Sequence, residues 1–220
     1  MSLHQLAARY PLPSDDLSEI LGPSGIKMLL ELIRDAYFEL VQMRKVDLSM
    51  TENQITEEWC VCLLLIWPQS NAYCLGLSPI PQKEDESSRK SRRGSPPTID
   101  FCFRAYWDRQ AYFGAECKLI EANDKTLCDK YIENGVNRYI DGRYGQKFSE
   151  GAMLGYVRQT KCSDVAAEIR NRINSLAGSP QLIQTDVLLP FEDHYISKHS
   201  RLKGLPPFTI HHLLFLFEPA

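Results

Sequence analysis

The segment TIDFCFRAYWDRQAYFGAECKLI, Thr98–Ile120, contains two strand-like runs joined by a polar turn. In IDFCFRAY and again in AYFGAECK, every second residue is apolar. This alternation is typical of β-strands, and two such runs around a short polar turn predict a β-hairpin. Burying a charge in a strand is costly unless the charge is paired, so Asp100, Glu116 and Lys118 require a reason to be there.

The position of the turn determines which side chains meet. If the turn centres on Asp108, Asp100 lies opposite Glu116, and the two-residue period of a strand places Glu116 and Lys118 on one face. Two carboxylates and one ammonium then converge at the open end of the hairpin. A shift of one residue would separate them, so this prediction depends on the register.

Converging carboxylates of this kind predict a metal site. Two neighbouring carboxylates repel one another, and a divalent cation supplies the charge that lets both ionise. Mg²⁺ or Mn²⁺ prefers such oxygen ligands, together with a carbonyl oxygen and waters. A lysine beside the ion can orient an attacking water and stabilise charge on a phosphate, which is the chemistry of phosphodiester cleavage. The alternative is an exposed cross-strand ion pair between Glu116 and Lys118 without a chemical role.

The composition predicts one globular domain across 1–220. Of 220 residues, 44% are hydrophobic and 24% are charged, which suits one sizeable core and argues against disorder. The net charge of -3 excludes a strongly basic chain, although a basic surface can still exist locally. The 7 cysteines form no CxxC pair or Cys/His cluster, which favours reduced thiols in a cytoplasmic protein. No secretory signal is visible and the apolar runs are too short to span a bilayer, so no membrane partner is expected.

Two helices are predicted before the hairpin. Apolar residues recur at three- and four-residue steps from Ser24 onward, which indicates an N-terminal helix. The second helix begins at TENQITEEWCVCLLLIW, where Thr51 and Gln54 have the spacing of a capping box. On this helix Glu52 falls near the apolar face at the first turn, and Glu58 falls on a flank.

A short strand and a basic loop are predicted between the second helix and the hairpin. The run NAYCLGLSPI is β-prone and favours a strand near Ala72–Pro79. Residues 81–97 lack apolar side chains other than proline, which predicts a mobile surface loop. Its basic cluster is either solvated or contacts the phosphates of a nucleic acid. The cluster consists of Arg89, Lys90, Arg92 and Arg93.

In the second half of the chain, predicted helices alternate with predicted strands. A helix is expected near Leu127–Ile140, a central strand near Ala152–Thr160 and a further helix over 163–178. The runs QLIQTDVLLP and PPFTIHHLLFLF are expected to be two closing strands. This order of elements predicts an α/β fold with a mixed sheet covered by helices.

Asp100, followed after a short hairpin by Glu116-Cys117-Lys118, resembles the motif of the PD-(D/E)XK nuclease superfamily, which has the restriction-endonuclease-like fold. The predicted order over about 51–160 is helix, three strands, helix and strand, and it is similar to the core of that family. The resemblance implies a mixed central sheet flanked by helices, with an extra N-terminal helix and C-terminal strands. The residue before Asp100 is Ile99, so the first part of the motif differs from the literal Pro-Asp.

The resemblance also implies roles for individual residues. The implied ligands for Mg²⁺ or Mn²⁺ are Asp100, Glu116 and the carbonyl oxygen of Cys117. Lys118 would be the catalytic lysine. The family often adds a glutamate from the first core helix, and Glu52 fits that position best, with Glu58 next.

Other stretches have a looser likeness. YIENGVNRYIDGRYGQKFSEGAMLGYV and HYISKHSR resemble uncharacterised bacterial proteins that carry an ECK motif. Nuclease-like proteins of this kind often belong to restriction or antiphage systems, which is an association and not a derivation.

Basic residues and histidines of the second half allow two interpretations. The residues Arg138, Arg143, Tyr144 and Lys147 follow one another within a short stretch. They either bind phosphate or are ordinary solvated charges. His211 and His212 are adjacent in a predicted strand, so they point to opposite faces and do not easily share one metal ion.

Together these observations predict a metal-dependent endonuclease that hydrolyses phosphodiester bonds, with DNA favoured over RNA, in restriction or antiphage defence. The alternative belongs to another functional class. It is a nuclease-like binding or structural subunit of a multi-protein defence complex that has no catalysis of its own. A homodimer and a protein partner are compatible with either function.

Overall fold

The computed structural model describes residues 16–84, 96–108, 110–145, 147–202 and 204–218. The strands are β1 Leu77–Glu84, β2 Thr98–Ala105, β3 Tyr112–Leu119, β4 Glu150–Val157, β5 Ile183–Gln184, β6 His194–His199 and β7 Phe208–Leu216. The helices are α1 Leu17–Gln42, α2 Glu52–Ile66, α3 Lys125–Tyr131, α4 Asn137–Ile140 and α5 Cys162–Asn174, with a π-helical segment at Ile132–Val136. Among the helices of these ranges, none has the length and apolar character needed to cross a lipid bilayer.

All seven strands form one mixed sheet in the order β1-β2-β3-β4-β7-β6-β5. The first three strands are an antiparallel meander, β4 runs parallel to both β3 and β7, and β6 and β5 complete the other side in antiparallel pairing. In β4 every residue after Glu150 is buried, as expected for a strand covered on both faces. The predictions of a mixed sheet and of a central strand in this region are confirmed.

Helices cover both faces of the sheet. Trp59 of α2 stacks on Tyr156 of β4, with 5.4 Å between ring centroids. The ring of Tyr131, from α3, lies instead against the Cα side of the neighbouring residue, Gly155. Since adjacent strand residues point to opposite faces, α2 and α3 lie on opposite sides of the sheet. The molecule therefore has three layers, with helices on either side of the strands.

The edge next to the hairpin differs from its prediction. The expected strand near Ala72–Pro79 is wrong at its start, because Asn71–Leu75 forms a 3₁₀ turn that ends at Gly76 in the left-handed region, with φ 66°. The strand begins at Leu77 and continues through Pro81 to Glu84, which corrects the predicted loop over 81–97. Strand β1 is an edge strand, where a proline without an N–H is tolerated. The basic cluster of Arg89, Lys90, Arg92 and Arg93 lies outside the described residues.

The C-terminal strands also differ from the prediction. QLIQTDVLLP contributes only the two-residue strand β5, whereas the polar run HYISKH forms β6 and pairs with β7 along its length. Arg201, which follows β6, is buried and donates to the carbonyl oxygens of Tyr144 and Gly145. This basic segment therefore contributes to the core and to loop packing.

Candidate active site

The hairpin has the register that the sequence predicts. Strands β2 and β3 pair Phe101 with Ala115 and Arg104 with Tyr112, which corresponds to a turn centred on Asp108. The turn is closed by a hydrogen bond from the backbone N–H of Ala105 to a carbonyl oxygen across it, at 2.9 Å. Continuing this register places Asp100 beside Glu116.

The sheet changes its pairing at Asp100. Strands β1 and β2 pair on either side of Gln82 and Asp100 but skip these two residues, and Gln82 has a left-handed φ of 49°. The pairing of β2 with β3 ends at Phe101. Beyond that point Oδ2 of Asp100 accepts a hydrogen bond from the backbone N–H of Cys117, at 2.7 Å. The Asp100 carboxylate therefore lies where a backbone carbonyl of β2 would otherwise bind β3.

The ammonium of Lys118 is the centre of the site. Its Nζ lies 3.0 Å from Oε1 of Glu116, 3.1 Å from Oε1 of Glu52 and 3.7 Å from Oδ2 of Asp100. It also donates to the carbonyl oxygen of Cys117, at 2.5 Å. The structure thus brings together four predicted site side chains and the predicted carbonyl.

Glu52 reaches the site because α2 starts where the sequence predicts. The capping box of Thr51 and Gln54 is formed, and it places Glu52 in the first turn. Its Oε2 accepts a hydrogen bond from the backbone N–H of Leu119, at 2.9 Å. Glu58 lies away from the site and approaches Lys45 at 3.8 Å. Of the two glutamates that the sequence left open, Glu52 belongs to the site.

This assignment predicts a difference in stability between two alanine variants. Glu52→Ala is expected to lower the free energy of unfolding by about 1–3 kcal/mol, because it removes the acceptor for Leu119 and a partner of Lys118. Glu58→Ala is expected to change it by less than about 0.5 kcal/mol, since a surface ion pair contributes little. Urea unfolding of both variants without divalent cations is the measurement. Equal losses in the two variants would contradict the assignment.

Glu116 is the buried member of the site. The residue is 1% exposed, and its Oε1 accepts from Lys118 and, at 2.8 Å, from Nη1 of Arg138. Its Oε2 is buried without a hydrogen-bond partner among the described residues. Burial raises the pKa of Glu116 to about 7, and the charge of Asp100 adds to the rise, while Lys118 and Arg138 oppose it. An unpartnered buried carboxylate oxygen is a place where a cation would bind favourably.

The charges of the site depend on one another. Burial raises the pKa of Asp100, and the Lys118 ammonium and the Cys117 N–H oppose that rise. Burial by itself would lower the pKa of Lys118, but the neighbouring carboxylates of Glu116, Asp100 and Glu52 outweigh it and raise the pKa. Lys118 is therefore a permanent cation at neutral pH, and it cannot act as a proton acceptor.

Arg138 is a site residue that the sequence-based site list omits. Its Nη1 donates to Glu116 and, at 2.7 Å, to the hydroxyl oxygen of Tyr144. The Tyr144 hydroxyl donates in turn to the carbonyl oxygen of Thr98, at 2.6 Å. Sequence reasoning names Arg138 and Tyr144 only as residues that bind phosphate or solvent, because nothing local connects them to the hairpin.

The donor set fits a hard divalent cation in its chemistry. The carboxylates of Asp100, Glu116 and Glu52 and the carbonyl of Cys117 are all oxygen donors, which Mg²⁺ and Mn²⁺ prefer. In its present arrangement the Lys118 ammonium lies among these oxygens. Accordingly, no cluster of three or more His, Cys, Asp or Glu side chains in the described part of the chain has a metal-binding arrangement. A cation would require Lys118 to withdraw from at least one carboxylate.

The remaining predicted phosphate contacts lie on the surface. Arg143 is bonded to Asp141 and Lys147 to Asp108, both at 2.7 Å. These two cations are partly exposed, and neither contacts Lys118 or its carboxylates in the structure. Their prediction as nucleic-acid contacts stays a prediction.

The histidines form a buried network outside the site. Nδ1 of His212 lies 3.0 Å from the hydroxyl of Tyr131, and its Nε2 lies 2.7 Å from Oγ of Ser197. On the opposite face, His211 contacts His194 at 3.1 Å and Oε2 of Glu150 at 2.9 Å. The expectation that His211 and His212 point to opposite faces is confirmed, and the two rings have separate partners.

Comparison of the chain with family models, with curated proteins and with solved structures gave no match.

Proposed function

We propose that the protein is a metal-dependent endonuclease of the PD-(D/E)XK type that hydrolyses phosphodiester bonds, with DNA favoured over RNA. The observation that carries the proposal is the convergence of Asp100, Glu116 and Glu52 around Lys118, with one buried carboxylate oxygen of Glu116 unpartnered. The order of elements from α2 to β4 supports it, since it is helix, three strands, helix and strand. A place in restriction or antiphage defence, with DNA and a protein component of that system as partners, belongs to the same proposal.

Each side chain has a role that follows from its chemistry. Asp100, Glu116 and the Cys117 carbonyl would hold Mg²⁺ or Mn²⁺, and Glu52 would complete the acidic set. The bound ion would supply Lewis-acid stabilisation of the phosphate. Lys118, a permanent cation, would orient the attacking water and stabilise the negative charge that develops on the phosphate oxygens. Arg138 adds a second cation next to Glu116.

The charge balance supports binding of an anionic substrate together with a cation. Three carboxylates and two cations surround the site, which leaves one net negative charge when all are ionised. A divalent cation would reverse that sign. The site would then attract a phosphodiester that it repels in the absence of the ion.

The proposal is tested by cleavage and metal binding of the Asp100→Ala variant. The wild-type protein is expected to cleave single- or double-stranded DNA when Mg²⁺ or Mn²⁺ is added and to stop when the ion is chelated. Asp100→Ala is expected to bind Mn²⁺ at least about tenfold more weakly and to lose cleavage to at least the same degree. Isothermal titration calorimetry and a labelled-oligonucleotide assay measure the two quantities.

A matched variant separates the site from general effects. Asp186→Ala removes an exposed aspartate far along the sequence, and it is expected to bind Mn²⁺ and to cleave as the wild type does. Cleavage that persists unchanged in Asp100→Ala, or that is unaffected by chelation, would refute the proposed function.

The second candidate function is a nuclease-like binding or structural subunit without catalysis. The observation that favours it is that Lys118 and Arg138 already neutralise most of the acidic charge, as a lysine filling the site would in a structural module. This candidate predicts no binding of Mn²⁺ at millimolar concentration and no change in unfolding temperature when the ion is added. Specific binding of Mn²⁺ that Asp100→Ala removes would exclude it.

A further inference from the structure

A groove lies directly beside the candidate active site, between α2 and β1. Its volume is about 280 Å³, close to the lower end of the range for ligand pockets, about 300–1,000 Å³. The residues that line it are Asn53, Thr56, Glu57, Cys60, Val61, Leu64, Pro81, Gln82 and Asp100. Asp100 belongs to both the groove and the site, so the two are continuous.

The groove is on the accessible side of the site. Glu116 is buried, whereas the side chains of Asp100 and Glu52 are 28% and 32% exposed. Asp100 lies at the wall of the groove, and Glu52 immediately precedes Asn53, another lining residue. A substrate that reaches the Lys118 ammonium past Asp100 therefore places its neighbouring group in the groove.

The lining determines which group that is. Cys60, Val61, Leu64 and Pro81 give an apolar wall, and Val61 and Leu64 are about half exposed although they lie on a helix. The lining residues include two carboxylates and no lysine or arginine, so the groove repels a phosphate.

A flat, uncharged group with an apolar face and hydrogen-bonding edges suits the groove. The side chains of Asn53 and Gln82 offer both donors and acceptors, and Glu57 and Asp100 offer acceptors. Of the parts of a nucleotide, only the base has these properties. Carboxylates accept from the exocyclic amino group of a base, as glutamate and aspartate do with cytosine.

We propose that this groove binds one unpaired nucleobase adjacent to the scissile phosphate, so that the substrate class is single-stranded or locally unpaired nucleic acid. The inference rests on the proposed function. A base that is stacked and paired in a duplex presents neither face nor its full edge, and it has to leave the stack to enter a site of this size. A free strand offers its bases without that cost.

The test uses two leucines that are adjacent on α2. Leu64 lines the groove and is 46% exposed, whereas Leu65 is 56% exposed and is not among the lining residues. The substitutions Leu64→Gln and Leu65→Gln are chemically identical, and both keep a good helix former. Binding of a fluorescein-labelled single-stranded oligonucleotide is measured by anisotropy in the presence of EDTA, and binding of the matching blunt duplex is measured in parallel.

The wild-type protein is expected to bind the single strand more tightly than the duplex. Leu64→Gln is expected to weaken binding of the single strand about fivefold or more, in line with the 1–3 kcal/mol by which contacts with one base contribute. Leu65→Gln is expected to change it by less than about twofold. Circular dichroism of both variants checks that the helix is retained.

The outcomes separate this inference from the proposed function. Equal effects of the two substitutions, or a duplex bound and cleaved as well as the single strand, would overturn the groove while leaving a nuclease. Groove-dependent binding of the single strand by a protein that cleaves nothing with Mg²⁺ or Mn²⁺ would overturn the nuclease and leave the groove.

Discussion

Lys118→Ala is expected to reduce the rate of DNA cleavage roughly 100- to 1,000-fold, the loss that follows removal of one preorganised electrostatic group from an active site. The ammonium of Lys118 is the group that contacts Glu116, Glu52 and the Cys117 carbonyl at 2.5–3.1 Å. Its position relative to the scissile phosphate is therefore fixed by three partners. Single-turnover cleavage in saturating Mn²⁺ measures the loss without a contribution from product release.

The Lys118 variant requires controls for folding. Removing the ammonium leaves buried carboxylate charge with fewer partners, which can cost about 3–5 kcal/mol of stability. Lys118→Arg retains the positive charge and is expected to stay folded, but its planar group does not reproduce the ammonium geometry, so cleavage remains low. Lys130→Ala removes an exposed lysine of α3 and is expected to leave cleavage unchanged. Full activity in a folded Lys118→Arg or Lys118→Ala protein would remove Lys118 from the catalytic machinery.

The second large effect is acid unfolding. Burial lowers the pKa of His194 to about 3 and that of His199 to about 4, and it lowers the pKa of His212 well below its ordinary value; the charge of His211 adds to the first effect, and charges of neighbouring histidines add to the last. Between these values and about pH 6.5 the unfolded chain binds more protons than the folded protein, so the free energy of unfolding falls as the pH falls. Each histidine contributes a slope of up to about 1.4 kcal/mol per pH unit. Native proteins have only about 5–15 kcal/mol of stability, so we expect cooperative unfolding between about pH 4 and pH 6.

Urea unfolding at a series of pH values measures this slope. His212→Gln is expected to reduce the slope by the contribution of one proton, whatever its effect on stability at neutral pH. Glu116 works in the opposite direction, because its raised pKa of about 7 makes the folded protein more stable as the pH falls from 7 toward 4.5. One group opposes three, so the net slope keeps the sign given above. A stability that is constant from pH 7 to pH 5 would contradict the prediction.

Much of the site could be predicted because its determinants are local. The alternation around Asp108 fixes the hairpin, and the hairpin brings Asp100, Glu116 and Lys118 together. The capping box at Thr51 similarly fixes the start of α2 and hence the position of Glu52. In both cases a few neighbouring residues determine the geometry, which is the situation in which sequence patterns are most informative.

The rest depends on contacts between distant segments. Strand β6 reads as a polar basic run, and it becomes a buried strand only because β7 and β5 pair with it on either side. The start of β1 was misplaced because a short apolar run does not distinguish a 3₁₀ turn from a strand. Arg138 joins the site through Tyr144 and Thr98, a connection between three separate parts of the chain. No local pattern encodes such a connection.

The π-helical segment Ile132–Val136 bears on how this site acquires its charges. A π turn accommodates one more residue than an α turn, so every later residue of the helix is rotated by about 100° from where an uninterrupted α-helix would place it. The rotation determines that Arg138, and not a neighbouring residue, is aligned with Glu116. A single inserted codon in this segment is thus enough to exchange one side chain over the carboxylates for another, while the hairpin below stays as it was. The electrostatics of the site can evolve independently of its scaffold.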